Sequence, residues 1–384
     1  MRGFNHTYDA ENLYHSIEFA QYDSLQLGQY GNANQLLERM EDAVQSYMYD
    51  YRLKDRTISW KKTEGRAWEL YRMYARQLIE TSDKASKFVR YSLPQPYGCV
   101  TNYAVNERTR QYSLSGPCHG EPIGYSTNPD SQLPPSVLRK DLPDGRMTYA
   151  ALAEGGALFT TGLSSAKSYA ADRSLNGTDE VLLKMCIDRL SGLMKDLEPR
   201  KGTMSYVKFA IEMFREILLG IQELAKIVKP NGFDCYVNKN CAIMKDKKEL
   251  TRIRKLVQNG HLKTATTIQE QKMIQSPATP TLLFIPSYEI YGHVLLLLGL
   301  NEESKDMFEK SLMERMGRVQ SLVGLARSHA VLGNQKEAVY FYEYLKNQLD
   351  EADENNPLLE EAKLGIKTKA NPSILQDVWQ WPYL

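Results

Sequence analysis

His15, Glu18 and Tyr22 stand at i, i+3 and i+7, a spacing that places three side chains on one face of a helix. An imidazole beside a carboxylate is the raw material of a metal pair or an acid–base pair. No H-E-x-x-H arrangement completes it and no third ligand is at hand, so His15 reads as a satisfied or surface histidine. Cys118-His119 offers two further ligands in a Pro/Gly-rich stretch, with only Cys99 nearby. A structural zinc wants four, and Cys118 reads as an ordinary loop thiol. Between Lys245 and Lys255 stand Lys245, Lys247, Lys248, Arg252, Arg254 and Lys255, with Asp246 and Glu249 interspersed. Such a run could meet a phosphate backbone, but on a helix in a chain of balanced charge it reads as a solvated face. There is no G-x-x-x-x-G-K-[ST], no strand-borne G-x-G-x-x-G and no G-x-S-x-G. Glu154-Gly155-Gly156 falls inside a helical pattern and reads as a close helix contact, not a phosphate cradle. These residues assign no catalytic group, no metal and no cofactor.

The composition narrows the classes. Of 384 residues, 42% are hydrophobic and 25% charged, which is a core-forming chain. A formal net charge of +1 speaks against a dedicated nucleic-acid binder. The longest apolar stretch, Val294 to Leu300, is far short of the roughly 18–20 residues of a membrane helix. Met1 to Ala10 is polar and contains Asp9, which predicts no secretory leader and a cytoplasmic chain. The five cysteines (Cys99, Cys118, Cys186, Cys235 and Cys241) are an odd number with no C-x-x-C, so reduced thiols are expected. Without secretion the glycosylation patterns at Asn5 and Asn176 are idle.

Half of the sixteen prolines lie between Tyr91 and Met147, together with Gly98, Gly116, Gly120, Gly124 and Gly145. Residues 91–147 therefore read as a long irregular connection with room for a short strand or two. It divides an N-terminal helical part, 1–90, from a helical array over 148–366 and a tail over 367–384. Periodicity predicts helices over Glu11–Leu27, Asn32–Tyr47, Gly65–Phe88, Tyr149–Ala170, Asp179–Leu197, Met204–Val228, Lys247–Gln258 and Thr264–Ile274. It continues over Pro286–Leu298, Glu302–Glu314, Val319–Leu332, Gln335–Leu349 and Leu358–Leu364. The fold class is all-α.

Paired helices invite a search for a period. Leu298-Gly299 and Leu332-Gly333 are 34 residues apart. Around them small residues match (Gly292 with Ala326, Ser304 with Ala338) and large ones match (Phe308 with Tyr342, Tyr288 with Leu322). Small residues let the two helices of a hairpin approach, the Gly after Leu suits a left-handed cap, and the large residues fill the space between hairpins. A half-copy recurs as Leu27-Gly28-Gln29-Tyr30-Gly31-Asn32-Ala33.

This pattern resembles the tetratricopeptide-repeat family, well over 286–350 and fairly over 12–45. It is also similar to a little-characterised set of longer proteins with degenerate repeats of this kind. In those a Thr-Pro … Pro-x-x-Glu stretch, here Thr279-Pro280 … Pro286-Ser287-Tyr288-Glu289, precedes the last repeats. The stretch Ala157-Leu158-Phe159 … Gly162-Leu163-Ser164-Ser165-Ala166-Lys167 looks like their middle repeats. The proline that commonly ends a repeat is missing, with Met316 and Asp350 in its place. A hairpin starting near residue 12 suggests a chain that begins earlier.

The resemblance implies a superhelical array whose first helices line a concave groove for a protein or peptide partner. The groove positions are Glu18 and Tyr22, then Glu289, His293, Val323 and Arg327. The Lys/Asn/Arg clamp that some members close on a chaperone's acidic tail is absent, since these positions read Glu, His, Val and Arg. Trp379, Trp381 and Tyr383 make the C-terminal tail aromatic. It either caps the last hairpins or fills the groove as an internal ligand. The function expected is a non-catalytic interaction or scaffold role, with no nucleic acid and no membrane. The rivals are an enzyme in which Cys118 and His119 fold over the groove, and a subunit that self-assembles through the tail. The partner and the oligomeric state are left open.

Overall fold

The structure is a computed structural model that describes residues 6–54, 60–81, 104–106, 111–113, 144–171, 178–197, 204–231, 248, 251–252, 255, 287–375, 378–379 and 381. The helices are α1 (His6–Gln26), α2 (Tyr30–Lys54), α3 (Trp60–Glu80), α4 (Asp144–Ala171), α5 (Thr178–Leu197) and α6 (Met204–Asn231). They continue as α7 (Ser287–Leu297), α8 (Asn301–Glu314), α9 (Val319–Leu332), α10 (Gln335–Gln348), α11 (Pro357–Lys367) and the one-turn α12 (Pro372–Leu375). Inside the Pro/Gly-rich stretch, β1 (Ala104–Asn106) pairs antiparallel with β2 (Gln111–Ser113), Val105 opposite Tyr112. The rest of that stretch up to Pro143, and with it Cys99, Cys118 and His119, lies outside the described residues. So do most of the basic run at Lys245–Lys255 and the helix expected over Thr264–Ile274.

The helices pack in neighbouring pairs. α1 lies on α2, α3 on α4, α5 on α6, α7 on α8, α9 on α10, and α10 on α11. Leu-Gly turns close three of these junctions. Gly28, Gly299 and Gly333 have φ of +70°, +70° and +84°, the left-handed region that residues with a Cβ avoid. One main core runs through α1–α6, around Leu70, Tyr71, Phe159, Phe214 and Leu218. The other runs through α7–α12, around Phe308, Leu322, Tyr342 and Leu345.

The small and large positions meet as the spacing demands. The Phe308 ring lies over Gly292 of α7 and Gly324 of α9, where a Cβ on Gly292 would come within 2.9 Å of the ring. Tyr342 lies over Gly365 of α11 in the same way, at 2.5 Å. Ser304 donates to the Gly292 carbonyl at 2.8 Å, which ties α8 to α7. α3 begins earlier than its periodicity suggests and ends at Glu80, short of Phe88. There the buried Lys167 ammonium, brought in by α4, donates to the carbonyls of Leu78 and Thr81. A cation at a helix C-terminus meets both the orphan carbonyls and the dipole.

The two helical sets touch directly. The Val319 N–H donates to the Gln26 side chain at 3.1 Å, and Gln348 donates to the Gln26 carbonyl at 3.1 Å. The Gly31 N–H donates to Asp353 at 2.7 Å, and Asn356 donates to the Gly28 carbonyl at 3.0 Å. Among the described residues no helix is long and apolar enough to cross a membrane.

Candidate functional site

The residues singled out from the sequence converge on the seam where α1, α3, α7, α9 and α11 meet. Their surroundings differ from the expectation. Glu18, Glu289, His293, Val323 and Arg327 are buried, and Tyr22 is half-buried, where an open groove face was expected. The reason is chemical: Glu18, Glu289 and Arg327 each face an opposite charge, on α3, just before α9 and on α11 respectively, and each pair closes over itself.

Glu18 accepts from Arg72 and Arg76, both at 3.0 Å, and its carbonyl accepts from Arg76 at 3.2 Å. Tyr22, one turn along α1, lies between two guanidinium groups, with Arg76 5.6 Å and Arg318 5.9 Å from its ring centre. Arg318 precedes α9 with its side chain fully buried. It binds Glu289 through two nitrogens, one at 2.9 Å, and pairs with Glu80 at the end of α3. The Ser321 hydroxyl donates to Glu289 at 2.6 Å and lies 2.8 Å from the Ser311 hydroxyl. Three guanidinium groups and three carboxylates thus form one buried chain with no net charge. Burying each ion alone would cost several kcal/mol, so the pairing is what permits the set to exist.

A second group lies on α7, α9 and α11. Arg327 donates to Glu361 at 2.9 and 2.6 Å, a bidentate pair, and the Tyr342 hydroxyl donates to the same carboxylate at 3.0 Å. The tail closes over it. Trp379 and Trp381 meet at right angles, 6.1 Å between centres, and each ring lies 5.4 Å from the Arg327 guanidinium carbon. His293 points an edge at Phe308 (4.8 Å) and at Trp381 (6.5 Å). His293, Arg327 and Glu361 are successive steps of 34 residues, one position on three successive first helices.

The field follows from this packing. Burial, with Arg327 and Arg318 near, holds His293 well below the usual imidazole range. Burial lowers Arg76 to about 10, against the pull of Glu18. Burial also raises Glu80, with Arg318 opposing and Glu289 adding to the rise. For Arg318 burial alone would lower the value, but Glu289 and Glu80 outweigh it and hold the guanidinium firmly charged. Burial raises the Tyr342 phenol, and Glu361 adds to it.

Val323 is an apolar member of the α9 core. His15 is about half exposed and 3.4 Å from Glu69, a surface contact. Gly155 and Gly156 are close contacts, Gly155 to Ile211 on α6 and Gly156 to Trp68 on α3. No group of three metal-ligating side chains occurs among the described residues. Cys186 is buried in the core, with its thiol pushed up to about 12 by that burial.

Sequence reasoning missed Arg72, Arg76, Glu80, Arg318 and Glu361, and gave Tyr342 only a packing role. Two signals were there to be read: α3 repeats its charges every four residues, and a further step of 34 from Arg327 lands on Glu361. Compared with known proteins, the chain matches no family model, no curated protein and no solved structure.

Proposed function

We propose that the chain is a tetratricopeptide-type array working as a non-catalytic interaction scaffold in the cytoplasm, with a partner's peptide segment held against the concave face of its first helices. One observation carries the reading. Three successive first helices present the same position, His293, Arg327 and Glu361, to one face, and a segment from outside the hairpins, the tail, is seated on it. Aromatic residues against a paired, desolvated Arg are typical anchors of such recognition.

The test is affinity capture from host lysate with the full chain and with Arg327→Met/Glu361→Leu. That double change replaces a buried ion pair by apolar groups of similar volume, a swap that folded proteins commonly tolerate. Circular dichroism checks the fold of both baits. A protein captured by the first bait and lost by the second supports a partner site on this face. Identical captures, or none, remove the reading.

A further inference from the structure

We propose that the face carrying His293 and Arg327 is a recognition site for a Trp-x-Trp peptide segment, filled in cis by Trp379 and Trp381 and opened to a partner protein's Trp-x-Trp segment when the tail lifts. The proposal rests on the scaffold reading and names the ligand chemistry.

Four observations carry it. First, the two tryptophans stand two positions apart and reach the same guanidinium carbon, each ring centre 5.4 Å from it. Their rings are 7% and 4% exposed, as anchors seated in a pocket would be.

Second, the site is complete without them. Arg327 is already neutralised by Glu361, and Tyr342 takes a further lone pair of that carboxylate. Lifting the tail leaves a satisfied ion pair rather than a bare buried charge, so the empty site is a viable state.

Third, Trp381 spans equivalent positions of two successive hairpins, His293 on α7 and Arg327 on α9. A segment crossing first helices in this way reads repeats in series, as a bound peptide does. His293, kept neutral, offers an aromatic edge there and no competing charge.

Fourth, the approach to the site is short, with Leu375 buried in the core beside it. α12 is one helical turn, and it packs on α9 and α11. Ile374 and Val378, on the way to the site, keep 45% and 39% of their surface exposed.

The experiment uses the full chain. A fluorescent peptide of residues 376–384 is titrated into wild type and into Trp379→Ala/Trp381→Ala, with binding read by anisotropy. The expected result is binding to the double variant at least about ten-fold tighter than to wild type, whose tethered tail competes at high effective concentration. The same peptide with both tryptophans changed to Ala fails to bind, and adding Arg327→Met/Glu361→Leu to the variant abolishes binding. A folded double variant that ignores the peptide overturns the proposal, as does equal binding by wild type.

Should the variant not fold, hydrogen exchange on wild type decides. Amides around Val378–Trp381 exchanging well ahead of the α9 core support a detachable segment. Exchange only together with that core makes the tail an integral element and overturns the proposal. Failure here beside a lysate partner lost in Arg327→Met/Glu361→Leu removes the Trp-x-Trp ligand and leaves the scaffold reading standing.

Discussion

Removing the Arg318 guanidinium leaves the Glu80 and Glu289 carboxylates near each other in a site closed to water. Breaking a buried pair from one side typically costs about 3–5 kcal/mol, because the partner charge is stranded. Arg318→Met is therefore expected to lower the unfolding free energy by at least about that much, measured by urea denaturation. A loss under about 1 kcal/mol would mean that water reaches the cluster. His293 makes a pH-dependent counterpart. Burial and the nearby Arg327 and Arg318 depress its pKa below the unfolded value of 6.5. Below that pH the unfolded chain takes a proton that the folded chain refuses, so stability falls as pH drops from 7 towards 5. His293→Gln should flatten this dependence by up to about 1.4 kcal/mol per pH unit at the acid end. Parallel slopes for wild type and variant between pH 7.5 and 5 would refute the assignment. The sequence made Glu18, Glu289, His293 and Arg327 visible only as groove positions that the repeat resemblance implies. It could not show that they are buried, since an Arg on a helix looks the same whether its carboxylate lies across the seam or water does.

Helices and their turns were the most legible scale, and the reason is periodicity. In α9 the apolar and small residues recur at every helical step, and the Leu-Gly at its end has a single economical backbone solution, the left-handed one seen at Gly333. The pairing of helices was legible in part: the repeat marked Gly292 as small and Phe308 as large, and the structure adds Gly324 as the second small residue under the ring. A graded test follows. Gly324→Ala pushes a Cβ into the Phe308 ring. Overpacking of this sort costs about 1–3 kcal/mol. Adding Phe308→Leu should recover part of the loss, so the double variant is more stable than the sum of the single changes allows. Gly333→Ala meets no atom within 4 Å but keeps φ at +84°. Its cost, about 1–2 kcal/mol, comes from the backbone alone, and no change in Phe308 should relieve it. Thermal unfolding of the six proteins, wild type, three single and two double variants, measures both cycles. An equal response of the two glycine variants to Phe308→Leu would show that the ring contact is not what excludes a side chain at 324.

At the scale of the whole molecule, little in the sequence announces that the first hairpin meets the last repeats. Contacts between residues more than three hundred positions apart leave no local period to read. In the structure they gather on the segment from Gln348 to Asn356, and Asn356 is the member that also serves its own helix. Its side-chain oxygen accepts from Leu358 and Leu359 at 3.0 and 3.1 Å, capping α11, while its amide nitrogen donates to the Gly28 carbonyl at 3.0 Å. The Gly28 turn is pressed against it, and a Cβ there would come within 2.7 Å of the Asn356 amide and 2.8 Å of Ala352. One side chain thus does a local job with its acceptor and a long-range job with its donor, and chemistry can separate the two. Asn356→Asp keeps the acceptor and so keeps the cap, since Asp caps about as well as Asn. It has no donor for Gly28 and sets a carboxylate against that carbonyl. Asn356→Ala loses both functions, and the cap alone accounts for about 0.5–2 kcal/mol. Hydrogen exchange should then report two patterns. In Asn356→Asp, protection falls around Gly28–Ala33 while the first turn of α11 stays protected. In Asn356→Ala, protection falls at both places. If the Asp variant leaves the Gly28 turn as protected as wild type, Asn356 is only a helix cap, and closure rests on the Asp353 N–H bonded to the Gly28 carbonyl, on Gln26 with Val319, on Gly31 with Asp353 and on Arg318 with Glu80.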